Sequence, residues 1–190
     1  MEIRSDIECK GSTWYKVGHG YSESNKIFET FWGEFKICLA IGILYDKQID
    51  DDELTDDEEK LTIPRTMFNR HSQQMDLFFQ SAVLTSKCID LSEKDRLYLA
   101  FSNEISEEEM NESEAEELRK GVSEQALSFD KIKFLKRFAN YGATRLLECL
   151  DDNDSVTMEN LAQFLVDSYN GDTTELIDMV RVEELEDDVE

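Results

Sequence analysis

Residues 128–150 read SFDKIKFLKRFANYGATRLLECL, and the reading of this stretch decides the fold class. Ile132, Leu135, Phe138, Ala139, Leu146 and Leu150 recur at the three- and four-residue spacing that aligns side chains along one face of a helix, with Ser128 as the expected N-cap. Between these apolar positions Lys133, Arg137, Tyr141 and Arg145 repeat every fourth residue, with Lys131 and Lys136 close by. They trace a slowly drifting polar line along the same helix.

Working outward, Phe28, Phe31, Trp32, Phe35, Leu39 and Ile43 form a second helical stripe from Ile27 to about Tyr45, which Ile37, Cys38 and Ile41 widen too far for a surface helix. Ile63-Pro64 closes the connection that follows, because proline holds Ile63 extended and opens a helix expected over 65–86, with Phe68, Met75, Phe78, Phe79, Ala82 and Val83 inward. Ser92 followed by Asp95 predicts a capped short helix carrying Leu97, Leu99, Ala100 and Phe101. Met158, Leu161, Phe164 and Leu165 predict another over 155–169, stopped by Asn170-Gly171, and Thr173 or Thr174 caps a last short one. Residues 1–26 hold Gly11, Gly18 and Gly20 without a sustained period, and read as an irregular arm lending Trp14 and Tyr15 to the core or to a partner. Strand-like alternation does not persist anywhere. The expected architecture is therefore mainly α, a single compact domain of five or six helices over 27–182.

Half of the acidity lies in three blocks. Positions 50–59, 104–117 and 183–190 contain eight, eight and six of the 44 carboxylates and no lysine or arginine, whereas the remainder sets 22 acids against 20 bases. The formal charge of −24 thus describes a nearly neutral body with two acidic inserts, expected to be mobile, and an acidic tail. At 190 residues with eleven Phe the chain buries a real core, and an aromatic content of 10% argues against wholesale disorder.

The N-terminus lacks an apolar leader, and no window approaches the roughly 18–20 apolar residues of a membrane span, so a cytoplasmic protein is expected. Cys9, Cys38, Cys88 and Cys149 are scattered, the last three within apolar stretches, and read as reduced, mostly buried thiols. Nothing in the chain resembles a nucleotide-binding loop, a nucleophile elbow or a zinc signature, and its two histidines, His19 and His71, are too few for a metal site with Cys9. The 50–59 block lacks the central glycine of a calcium loop. No catalytic residue, metal or cofactor follows from the residues.

The basic positions are more informative. Residues 120–145 hold six bases against Glu124 and Asp130, and Arg65, Arg70 and His71 cluster where a helix begins, against its dipole. Two readings fit: solvated helix faces, or partner-binding surfaces built from Lys133, Arg137, Tyr141 and Arg145 and from Arg65 and Arg70. The charge is small for a protein that grips DNA alone.

Read in order, Ile27-Phe28-Glu29-Thr30, Leu39-Ala40-Ile41-Gly42, Ile63-Pro64, Leu77-Phe78 and Phe138-Ala139-Asn140-Tyr141-Gly142 with Leu146-Leu147 form a series that resembles the DNA phosphorothioation (Dnd) system-associated protein 4 family over about 27–150. The resemblance implies a non-enzymatic accessory subunit of a bacterial anti-phage or DNA-modification system. Its partner would be a larger protein such as an ATPase or nuclease. It brings no catalytic residue. The alternative expectation is an acidic DNA mimic that occupies a nucleic-acid-binding cleft, which requires rigidly spaced carboxylates.

Overall fold

The central helix is apolar on nearly every side, and burial is the only stable use for such a segment. In the computed structural model, which describes residues 1, 3–54, 59–102, 119–152 and 156–172, with side chains to residue 167, this is α2, Phe31–Tyr45. Trp32, Phe35, Cys38, Leu39 and Ile41 are buried along it. Thr30 caps its start by accepting from the Gly33 amide, and Asp46 ends it in the left-handed region at φ 48°, a conformation Asp tolerates better than most residues. Ile27 and Phe28 lie ahead of the helix.

Helix α7, Lys131–Asp151, packs along α2 and is the longest element among the described residues. Its inward face, Phe134, Leu135, Phe138, Ala139, Ala143, Leu146 and Cys149, is buried as its periodicity requires. The cap is Asp130, whose carboxylate accepts from the Lys133 amide at 2.9 Å, and not Ser128. Ser128 instead donates to the Glu124 carbonyl at 2.8 Å and finishes a separate short helix, α6, Glu124–Leu127. Two glycines let α2 and α7 meet backbone to backbone. A Cβ at Gly42 would lie 2.0 Å from the Phe138 carbonyl oxygen, and one at Gly142 would lie 1.9 Å from that of Cys38.

Residues 1–26 are an integral part of the fold, which corrects the expectation of an irregular arm. They form strand β1, Ile7–Lys10, helix α1, Ser12–Gly18, and a π-helical turn, His19–Ser24. Strand β1 pairs antiparallel with β2, Lys60–Ile63, in the register Ile7 to Ile63 and Lys10 to Lys60. Four-residue strands are too short to show in a periodicity. Trp14 and Tyr21 are completely buried, Trp14 stacking on Phe35 at 6.1 Å, while Tyr15 stays 44% exposed.

The helix expected over 65–86 is two helices, α3, Arg65–Arg70, and α4, Ser72–Thr85. The break falls at His71, which leaves helical geometry at φ −110° and ψ 24° and stacks its ring on Trp32 at 5.5 Å. Helix α5, Glu93–Phe101, begins as expected: Ser92 accepts from the Asp95 amide and donates to the Asp95 carboxylate. The last described helix, α8, Met158–Asp172, continues through Asn170 and Gly171, so that pair is not its stop. Eight α-helices and one two-stranded sheet around a shared core thus make a mostly helical single domain among the described residues. The 104–117 insert, the 183–190 tail and the short helix expected after Thr173 lie outside them.

The described part of the first acidic block has a defined local structure. Asp51–Glu53 form a 3-10 turn with a reciprocal capping box between Asp50 and Glu53. Leu54, only 8% exposed, anchors the turn in the core, and residues 55–58 are outside the described part. None of the helices among the described residues is long and apolar enough to cross a membrane.

Candidate functional site

The basic line on α7 divides into residues that bind the protein's own chain and one that does not. Lys136 pairs with Asp51 at 2.7 Å and Arg137 with Asp50 at 2.9 Å, so the middle of the line clamps the acidic 3-10 turn. Arg145 pairs with Glu148 and lies between the rings of Tyr45 and Phe164, at 5.8 and 5.3 Å from their centroids. Tyr141 is half-buried against Tyr45, with Lys47 over its ring. Lys131 donates to the Leu99 carbonyl and sits over Phe79. Lys133 is exposed and makes no side-chain ion pair among the described residues.

The second basic cluster is divided in the same way. The Arg65 guanidinium donates to the Arg4 carbonyl at 3.1 Å and its amide to the Asp6 carboxylate at 2.8 Å, joining α3 to the N-terminal strand. Arg70 is exposed without an ion pair among the described residues, and His71 packs on Trp32.

Beneath the clamp lies a buried polar hub that sequence reading missed. Asn140, completely buried, accepts from the Trp14 indole N–H at 2.9 Å and donates to the Ile49 carbonyl at 3.1 Å and to Asp51 at 2.9 Å. The Ile49 amide in turn donates to the Arg137 carbonyl at 3.0 Å. One amide side chain therefore joins α1, α7 and the connection after α2. Burial alone would raise the Asp51 carboxyl, but hydrogen bonds from Lys136 and Asn140 prevail and hold it below its ordinary range.

A polar cleft of about 660 Å³ opens beside the clamp, between residues 3–8 and the start of α7, with Arg4, Asp6, Glu8, Asp130, Lys133 and Lys136 on its walls. Its acids are already committed: Asp6 to Arg65, Glu8 to Lys60 at 2.6 Å, and Asp130 to its own helix cap. Its lining mixes acids and bases, so it presents no field of one sign.

A second buried polar group is the Glu34 carboxyl. Glu34 is 0% exposed, and neither carboxylate oxygen has a well-formed hydrogen bond among the described residues. Burial pushes its carboxyl up to about 7, opposed only weakly by the nearby Ser22 hydroxyl. Cys38 lies near Glu34, and Cys9 near Cys38; burial pushes the Cys9 thiol up to about 12 and Cys38 well above its usual value. Both stay protonated and unreactive at neutral pH. Three of the four cysteines are buried; Cys88 is exposed, against the expectation from its apolar surroundings. The described residues contain no cluster suited to a metal ion.

A second surface depression is apolar. Between α2 and α4 runs an open groove of about 560 Å³ lined by Phe28, Ile37, Ala40, Leu77 and Phe78, with Lys36 the only ionised side chain on its walls among the described residues. Leu77 is 65% exposed at the groove. It sits beside the α4 core stripe and not in it, which was one signal of this surface available in the sequence. Lys36, the sole base in the largely apolar α2, was a second signal.

Comparison with protein-family models, with curated proteins and with solved structures returns no match to this chain.

Proposed function

We propose that this protein is a non-enzymatic adaptor or accessory subunit that acts through protein–protein contacts. The α2–α4 groove carries the reading. It exposes a leucine and half-buried aromatic side chains in a trough whose size falls within the range of binding sites, and contiguous apolar surface on a folded domain marks a place where something else binds. The basic line on α7 supports the same view in a negative way. Lys136, Arg137 and Arg145 are engaged within the chain, leaving Lys133 and Arg70 as exposed auxiliary contacts rather than a docking stripe. The resemblance over about 27–150 supplies the setting: a cytoplasmic bacterial anti-phage or phosphorothioation-linked DNA-modification system, with a larger ATPase or nuclease as partner.

The DNA-mimic alternative draws no support from the described part of the first acidic block. Asp50 and Asp51 are neutralised by Arg137 and Lys136, so they do not present the free, regularly spaced charges of a phosphate backbone.

Affinity purification from the native host under mild, nuclease-treated conditions, read by mass spectrometry, tests the proposal. Stoichiometric recovery of one larger ATPase, nuclease or sulfur-modification protein is the expected result. Recovery of assorted DNA-binding proteins instead would favour the mimic.

A further inference from the structure

We infer that the α2–α4 groove receives an amphipathic helix of the partner protein, and that an acidic residue on the inserted face of that helix meets Lys36. This deepens the adaptor reading and rests on it.

The shape comes first. On α2 the wall is Gly33, Lys36, Ile37 and Ala40, and on α4 it is Gln74, Leu77, Phe78 and Ser81. Both walls therefore repeat the spacing i, i+3, i+4, i+7, the ridge that one helix presents to another. Two such ridges with an open lane between them form a seat for a third helix. The small residues Ala40 and Ser81 lower the walls so that an incoming backbone can approach, Gly33 being covered by Phe28, while Leu77 and Phe78 supply the apolar contact. Recognition of this kind reads apolar anchors at helical spacing on the ligand.

Charge then selects the occupant. Among the described residues Lys36 is the only ionised group on the walls, its ammonium 5.8 Å from the Trp32 ring, and it has no ion pair there. Covering it with a wholly apolar helix would desolvate an ammonium without a counter-charge, which is costly; a carboxylate removes that penalty. The chain's net charge of −24 opposes an acidic ligand at long range, but exposed charges are screened over about 8 Å at physiological salt, whereas a contact pair between apolar walls is screened far less. A second copy of this chain fits poorly, because two facing grooves bring the Lys36 side chains to one interface and set −24 against −24. A nucleic acid fits worse, since one ammonium in an apolar trough offers little to a phosphate backbone.

The probe is a random-peptide phage library selected on the intact protein, with counter-selection on Leu77→Glu. Enriched peptides are expected to carry apolar residues at i, i+3 or i+4, and i+7 together with an Asp or Glu. They should bind Leu77→Glu and Ser81→Glu at least tenfold more weakly; both sites are exposed, and circular dichroism verifies that each variant is folded. Lys36→Glu should lose the same peptides and recover binding when the peptide acid is changed to Lys. Absence of enrichment, peptides that bind Leu77→Glu as well as wild type, selection of basic non-amphipathic sequences, or no recovery in the charge swap would each overturn the inference. If a complex recovered from the host survives both Leu77→Glu and Lys36→Glu, this inference fails while the adaptor reading stands; if no complex exists, the adaptor reading itself fails.

Discussion

Gly42 and Gly142 are reciprocal: each faces the backbone of the other's helix, one turn away from its counterpart, with room for a hydrogen atom and nothing larger. A methyl at position 42 would meet the Phe138 carbonyl at 2.0 Å and one at position 142 the Cys38 carbonyl at 1.9 Å, both far inside contact distance. Backbone cannot swing aside as a flexible side chain can. The α2–α7 crossing on which the core is built thus depends on two missing side chains.

Gly42→Ala and Gly142→Ala should each destabilise the protein at or above the upper end of the roughly 1–3 kcal/mol typical of overpacking, despite the ~1 kcal/mol that alanine gains over glycine in a helix. Gly33→Ala is the control. Its methyl would meet Phe28 at 3.6 Å, an ordinary contact, so this variant should be neutral or slightly stabilised. Urea denaturation of the three variants checks the contrast, and equal behaviour would refute the close crossing.

The buried Glu34 makes stability depend on pH. Its folded value of about 7 lies above the ordinary 4.5, so its favourable state is the neutral one. Stability is fully present below about 4.5, declines as pH rises, and has lost this contribution once pH passes about 7. The shift corresponds to a loss on the order of 3 kcal/mol. Glu34→Gln, which cannot ionise, should remove this decline, so wild type and variant should differ much more at pH 8 than at pH 4.5. Parallel denaturation curves at the two pH values give the answer, and an unchanged difference would show that Glu34 does not titrate there.

Removing the Asn140 side chain should release a whole segment. Asn140→Ala leaves the Trp14 N–H and the Ile49 carbonyl without their partner, and orphaned buried groups cost about 1–3 kcal/mol each. The expected signature is local as well as global: faster amide exchange around Ile49–Glu53 and a changed Trp14 fluorescence spectrum. Uniformly faster exchange without emphasis on that segment would contradict the hub.

The Lys136–Asp51 pair should be worth little by itself, because Asp51 is 43% exposed at the side chain. A double-mutant cycle with Lys136→Ala and Asp51→Ala is expected to give a coupling of up to about 1 kcal/mol. The carboxyl of Asp51 is held low, so its contribution is present at neutral pH and is lost only as pH falls below the ordinary carboxylate range through its folded value. A coupling that persists when Asp51 is protonated would overturn that assignment.

The four thiols should divide by burial. Cys88 is exposed, while Cys9, Cys38 and Cys149 are completely covered, so Ellman's reagent should titrate one thiol in the native protein and all four in denaturant. Partial burial raises Cys88 as well, and its reaction should accordingly be slower than that of a free thiol.

Much of this architecture was legible from spacing. The helices over 31–45, 93–101 and 131–151 follow from apolar periodicity, and the second also from its Ser92 cap, because both are local signals, contained within a few residues of chain. The caps at Thr30 and Asp130 did not show in the same way, Ser128 offering a competing start to the latter. The two-stranded sheet was not legible, since Ile7–Lys10 and Lys60–Ile63 are each too short to alternate visibly and pair across some fifty residues. The same distance hid the candidate surfaces. Arg137 and Arg145 look like docking groups in the sequence because their neighbours at helical spacing do not include the Asp50 and Tyr45 that occupy them.

The sequence by itself determined where most helices run, which faces they bury and that the acidity is concentrated in blocks, because helical period and charge are properties of neighbouring residues. Only the tertiary structure decided that Asn140 is a hub, that Glu34 is sealed in the core, and that Leu77 and Lys36 share an open groove. Those outcomes depend on which elements pack together, and packing brings into contact residues that the chain order keeps far apart.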